Sequence, residues 1–283
     1  MNILITGASG FIGKNLSSFL EARHRLYRLD ITKIGRGKRC IFLDLADREK
    51  AEAYFKRFKR RSSIDIIVHL ASRMMKGRDI EDTNLLYTNL RITEGVIEIA
   101  KILKPRKVIN FSSMAVYPNI DGKFSEVSEI RMSSNSDCLY GLSKFCGENL
   151  IDFLLRGRDV VISHLRIGQV YGRGMRSNRI ISVFKRELSK KGRIAVYGEG
   201  RRVSNFIDIE KLLRIVNVFI ENDLPGMYNV GGENLSYLSL AKNIVKEYGG
   251  STTGIVKVKK GQCPRFFLDT SKLDAILRKG RWR

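Results

Sequence analysis

Short runs of aliphatic and β-branched residues alternate, in the first half of the chain, with longer stretches whose apolar positions recur three and four apart. Residues 2–6, 25–30, 39–44, 64–70, 106–112 and 159–166 are compact and rich in Ile, Val and Leu, which predicts strands. Between them, residues 11–23, 47–60, 79–104 and 137–156 carry the helical spacing. Strand, helix, strand without a hairpin signal means parallel pairing through right-handed crossovers. The predicted fold class is therefore α/β, a Rossmann-type doubly wound parallel sheet.

After residue 168 the rhythm changes. Helices are expected at 178–190, 210–221 and 238–248, with strands at 194–197, 227–230 and 255–258. This reads as a smaller mixed α/β substrate lobe over 168–283, following a dinucleotide-binding domain over 1–167, with 203–223 packing back onto the first domain. No fixed-period repeat or low-complexity tract interrupts either part.

The strongest local chemistry is the turn Thr6-Gly7-Ala8-Ser9-Gly10-Phe11-Ile12-Gly13 between the first strand and first helix. Gly7 permits the tight turn, Gly10 lets backbone approach a pyrophosphate, and Gly13 lets helix and strand pack closely. The helix start, with Phe11 and Ile12, adds oriented N–H groups. Asp30 closes the second predicted strand, where a carboxylate accepts hydrogen bonds from both adenosine ribose hydroxyls and repels a 2′-phosphate. The expected cofactor is NAD.

A second constellation is Tyr140-Gly141-Leu142-Ser143-Lys144 at the start of the fourth predicted helix. Residues four apart share a helix face, so the Lys144 ammonium is expected to pull the Tyr140 phenol from about 10 toward neutrality. Such a tyrosine exchanges a proton with an alcohol or ketone. The fifth strand delivers Ser112 and Ser113 to the carboxyl edge of the sheet, where open α/β folds bind ligands.

Charge changes the picture of partners rather than of fold. Fifty-two Lys and Arg against 29 Asp and Glu give +23, which favours anionic ligands. The run Lys56-Arg57-Phe58-Lys59-Arg60-Arg61 ends a helix, where cations complement the dipole, and is expected to be a solvated helix end. Four scattered cysteines and three histidines support neither a disulfide framework nor a zinc site. With no charged leader and no long apolar segment, a cytoplasmic protein without membrane insertion is expected.

With these motifs in place, the chain resembles the NAD-dependent epimerase/dehydratase family, the nucleotide-sugar branch of the extended short-chain dehydrogenases. The resemblance adds Asp44-Leu45 on the adenine side, His69-Leu70-Ala71 as a cofactor loop, and Asn89 as a cofactor-side amide. It places the catalytic hydroxyl on Ser113 and the Tyr/Lys pair on Tyr140 and Lys144. Segments 165–172, 228–231 and 268–272 are also similar to the family's. It implies a nucleotide-sugar substrate and a homodimer.

The departures bear on function. Dehydratases of this group place Asp-Glu after the active Thr, whereas Met114-Ala115 here cannot shuttle protons, which disfavours elimination. Gln169 replaces a substrate-side Asn, Pro118 a Gly, and Ser204 the Arg of the Gly-x-Gly-x-x-x-Arg segment. Arg176, Arg179, Arg202 and Arg265, like Arg201, are candidates for the vacated diphosphate contact, since a guanidinium fork suits phosphate oxygens. His69 is expected to be a packed strand end, and Met74 and Met75 to fill gaps. The expected activity is a 4-epimerase working through a 4-keto sugar. A ketoreductase of the same family is the alternative, and a nucleic-acid-binding protein on a dinucleotide fold is the reading from another class; no nucleic acid is expected.

Overall fold

The computed structural model describes residues 1–283 apart from 36, 38, 75–80, 132–136, 176, 251 and 281–283. In chain order the first half runs β1 (Asn2–Thr6), α1 (Phe11–Leu20), β2 (Arg25–Asp30), β3 (Cys40–Phe42), α2 (Arg48–Phe58), β4 (Ile66–His69), α3 (Thr83–Leu103), β5 (Lys107–Ser113), β6 (Gly122–Phe124), α4 (Cys138–Leu155) and β7 (Val161–Ile167). The remainder runs β8 (Gln169–Tyr171), α5 (Ile180–Lys191), β9 (Arg193–Tyr197), β10 (Val203–Asp208), α6 (Ile209–Glu221), β11 (Gly226–Val230), β12 (Glu233–Ser236), α7 (Tyr237–Tyr248), β13 (Gly254–Val258), β14 (Phe266–Leu268) and α8 (Ser271–Lys279).

Seven parallel strands form the main sheet in the order β11-β7-β5-β4-β1-β2-β3. Side chains alternate across it: Ile3 and Ile5 enter one apolar layer with α1, α6 and Leu273 of α8, while Leu4 enters the other with α2, α3 and α4. That burial on both faces is why these strands read as near-continuous apolar runs. Strand order reverses between β1 and β4, which opens a crevice at their carboxyl ends.

The strand expected at 227–230 within the small lobe is instead β11, paired with β7 at the edge of the main sheet. It is an apolar run with no local mark of the sheet it joins. The strand expected at 255–258 is β13, whereas β6, β12, β14 and α8 have no counterpart in the sequence reading: β14 pairs with β6 across about half of the chain, and α8 follows it. Helix α6 ends against the buried Lys107, whose Nζ donates to the carbonyls of Phe219, Ile220 and Asn222 at 2.6–3.1 Å. A cation there satisfies carbonyls that no helical N–H can reach. The smaller lobe packs α5 and α7 on β9 and β13 around Phe184, Leu188, Ile194 and Val196, and a three-stranded sheet β12-β10-β8 joins it to the main sheet.

Candidate active site

A cleft of about 860 Å³ opens at the crevice beyond β1 and β4. Its floor is the glycine turn. Gly7 sits at φ +70°, and a Cβ there would lie 2.7 Å from the Ala71 nitrogen; at Gly13 it would lie 2.4 Å from the Gly7 carbonyl. At Gly10 a Cβ would meet only the Gly7 carbonyl, at 3.2 Å, so the backbone there faces open cleft. A side chain would fill this cradle at the helix start, and its absence suits the pyrophosphate of a dinucleotide.

Asp30 lies at the rim of this cradle, its two oxygens accepting from the Ser9 and Thr32 backbone N–H groups, each at 2.9 Å. Those bonds aim the carboxylate along the cleft wall and leave lone pairs for ribose hydroxyls. Asp44, Leu45, Leu70 and Ala71 line the same end with Phe11 and Ile12. The Thr6 hydroxyl accepts from the Leu70 and Ala71 N–H groups and meets His69 Nδ1 at 2.8 Å. His69 is buried, and desolvation, with the Lys144 charge behind it, lowers its pKa to about 3. A neutral packed imidazole results, as the sequence suggests, rather than a base.

Asn89 is not a wall residue. Its amide accepts from Ser72 Oγ and Arg73 N and donates to the Arg73 carbonyl and Ser143 Oγ, so it pins the loop after β4 to α3 and α4 from behind. Ser143 Oγ in turn donates to the Tyr140 carbonyl at 2.7 Å.

Ser113, Tyr140 and Lys144 come together on the cleft wall. Ser113 Oγ accepts from the Ala115 N–H, which orients the hydroxyl and leaves its proton to donate. Tyr140 is within hydrogen-bonding reach of both Ser113 and Ser72. Ser72 is a contact that sequence spacing does not reveal.

The expected depression of the Tyr140 pKa is absent. Burial pushes the phenol up to about 12, against the opposing pull of Arg179 and the two serine hydroxyls. Lys144 is itself desolvated, which lowers it to about 8 despite Glu148; its Nζ donates to the Phe111 carbonyl and lies 5.9 Å from the Tyr140 ring centre. The cation that was to activate the tyrosine is held by backbone at the sheet edge, and both groups have lost their water.

A lysine depressed in the folded state is one the unfolded chain protonates more readily, so stability rises with pH between about 8 and the ordinary lysine value. Lys144→Met is therefore expected to stabilise the cofactor-free protein by about 1–2 kcal/mol at pH 7, after the lost hydrogen bond is deducted. The gain should vanish by about pH 10. Urea unfolding at several pH values measures it.

Among the candidate phosphate ligands, Arg179 and Arg202 line the cleft with Gln169, whose amide donates to Ser204 Oγ at 2.8 Å. Arg202 lies 5.4 Å over the Tyr237 ring, and its Nε is buried with no hydrogen-bond partner among the described residues. Arg265 is exposed, outside the cleft lining, with its guanidinium over Phe267. Arg176 and Met75 lie outside the described residues. Asn119 and Asn178 line the cleft without having been marked by any motif.

Behind the wall stands a buried network. Arg166 forks onto both oxygens of Glu148 at 2.7 and 3.0 Å and donates to Tyr117 Oη, which donates to Asn229 Oδ1. The Asn229 amide reaches the carbonyls of Phe124 and Asp269. Segments 165–172 and 228–231 thus meet through side chains, tying β7 and β11 to α4 and β6.

Fold and cleft together define a dinucleotide-binding α/β protein with a Ser/Tyr/Lys set beside its switch point. The chain matches the NAD dependent epimerase/dehydratase family over residues 3–231, and it belongs to that family. It is 24% identical over 269 residues to a dTDP-D-glucose 4,6-dehydratase of Dictyostelium discoideum, covering 86% of this chain but only 61% of that protein's length. Identity to a putative UDP-glucose 4-epimerase of Methanocaldococcus jannaschii is 25% over 292 residues, covering 97% of this chain and 92% of the relative. Among solved structures, the UDP-glucuronic acid 4-epimerase of Bacillus cereus in complex with NAD aligns at TM-score 0.77 and 26% identity, covering 99% and 93% of the two chains.

Proposed function

We propose that the protein is an NAD-dependent nucleotide-sugar 4-epimerase. The observation that carries this reading is the cleft itself: Ser113, Tyr140 and Lys144 stand on one wall, with Met114 and Ala115 where elimination would need an acid and a base. Gly7, Gly10 and Gly13 would hold the pyrophosphate of NAD, Asp30 its adenosine ribose, and Asp44, Leu45, Leu70 and Ala71 the walls around it. Bound NAD supplies a reversible two-electron oxidant for a carbinol carbon.

The protein's own groups do the rest. Tyr140 takes the proton of the sugar 4-hydroxyl as the carbonyl forms, and returns it to the same oxygen once the turned keto sugar has regained its hydride on the opposite face of carbon 4. Ser113 donates to the developing oxyanion. The Arg179 charge favours the Tyr140 phenolate against burial. No net redox change remains. The alternative, a 4-keto-sugar reductase, draws support from the raised Tyr140 pKa, since a phenol at about 12 rests as an acid. Asp30 weighs toward epimerisation, because a retained NAD suits a reaction that returns its electrons.

Incubating purified protein with a panel of nucleotide sugars and no added reduced cofactor should yield epimers by NMR. Turnover only of 4-keto sugars, stoichiometric with added NADH or NADPH, would replace the epimerase with the reductase.

The unpartnered Arg202 Nε makes this guanidinium the diphosphate anchor in the same reading, compensating for Ser204. Arg202→Ala should raise KM about 10- to 100-fold, with kcat and NAD affinity little changed. Arg265→Ala should leave steady-state kinetics as they are.

A further inference from the structure

Away from the cleft, the small lobe presents an uncovered sheet face. Strands β9 and β13 pair in parallel, with Ala195 opposite Val256 and Tyr197 opposite Val258. Ile194, Val196 and Ile255 point inward to the core under α5 and α7. By strand alternation Ala195, Tyr197, Val256 and Val258 point the other way. Tyr197 is 59% and Val256 43% exposed, and neither valine belongs to a core cluster.

Cations rim this apolar centre. Arg193 alternates onto this face, Lys190 and Lys191 precede it at the end of α5, and Lys259 and Lys260 follow β13, all exposed; Lys257, also exposed, alternates with Ile255 to the side of α5 and α7. Residues 190–198 and 254–262 contain these six cations and no carboxylate. The nearby acids are engaged: Glu187 accepts from the Ala195 N–H on the strand edge and pairs with Lys191 at 3.8 Å, and Glu199 pairs with Arg201.

We infer that this face docks peripherally on an anionic lipid bilayer. An exposed tyrosine and valines match the interfacial layer, and lysines that extend past them reach acidic headgroups. A second copy of the chain is a poor occupant, because it would set cations against cations. Nucleic acid would use the cations but leave the aliphatic centre in water. No described helix is long and apolar enough to cross a membrane, so binding would be at the surface and released by salt.

Co-sedimentation with vesicles of phosphatidylcholine containing about 30% phosphatidylglycerol tests this, with pure phosphatidylcholine as reference. The protein should bind the anionic vesicles only, and about 0.5 M salt should release it. Each cation is worth roughly fivefold, so Arg193→Glu/Lys259→Glu/Lys260→Glu should cost at least about a hundredfold in affinity. Tyr197→Ser/Val256→Ser should weaken binding at unchanged charge. A control, Lys56→Glu/Lys59→Glu/Arg60→Glu on α2 and the turn after it, should bind as the parent does. Thermal melts establish that all three variants are folded. The inference is overturned if anionic vesicles are not bound, if the control loses as much as the Arg193, Lys259 and Lys260 variant, if Tyr197→Ser/Val256→Ser binds unchanged, or if an RNA oligonucleotide displaces the vesicles at equal charge.

Discussion

Tyr140→Phe is expected to lower kcat by about three orders of magnitude, with NAD affinity and melting temperature close to those of the parent. The substitution removes one oxygen from the cleft wall. That oxygen is the group to which the proposed mechanism gives the proton taken from the sugar hydroxyl and later returned. Ser113 keeps its orienting bond from the Ala115 N–H, and Lys144 keeps its bond to the Phe111 carbonyl, so neither follows the missing hydroxyl. Steady-state kinetics with NAD titration would check it. Turnover within tenfold of the parent would remove Tyr140 from the mechanism.

The second large effect concerns stability. Arg166→Met should destabilise the fold by about 3–5 kcal/mol in denaturant unfolding, because Glu148 is 1% exposed and would be left as an uncompensated buried charge. Tyr117 Oη would also lose its donor. Adding Glu148→Leu should restore most of the loss, since an apolar pair of similar volume costs far less than half of an ion pair. If the double variant were as unstable as the single one, the cost would lie in packing around Tyr117 rather than in the orphaned carboxylate. Neither residue lines the cleft, so activity per folded molecule should fall far less than in Tyr140→Phe.

How much of this was readable without coordinates follows from the range of the interactions involved. The main-sheet strands and their helices rest on local periodicity, and the glycine turn on local backbone geometry; both were legible. The sheet to which residues 226–230 belong depends on β7 far upstream, and the β6–β14 pairing joins segments with no shared local signal. The Tyr140 pKa went the other way from the Tyr-x-x-x-Lys spacing because desolvation is set by walls drawn from β4, β5 and α5, not by the neighbouring turn. Arg202 and Arg265 were indistinguishable as guanidinium forks. Only the path of the chain after β9 puts the first in the cleft and leaves the second in solvent. The resemblance assigns Asn89 to the cofactor side; its four side-chain hydrogen bonds, which brace the loop behind Ser72 and Tyr140, join segments far apart in the chain and carry no local signal.

The central claim is that the hydrogen lifted from carbon 4 is the one returned to it, within one cleft and without an outside reductant. A nucleotide sugar carrying deuterium at carbon 4, turned over in ordinary water with no added NADH or NADPH, tests it most directly. Mass spectrometry and NMR of the product should find the 4-epimer with its deuterium retained at carbon 4. Loss of the label to solvent, a dehydrated 4-keto-6-deoxy product, or no product until a reduced cofactor is added would contradict it.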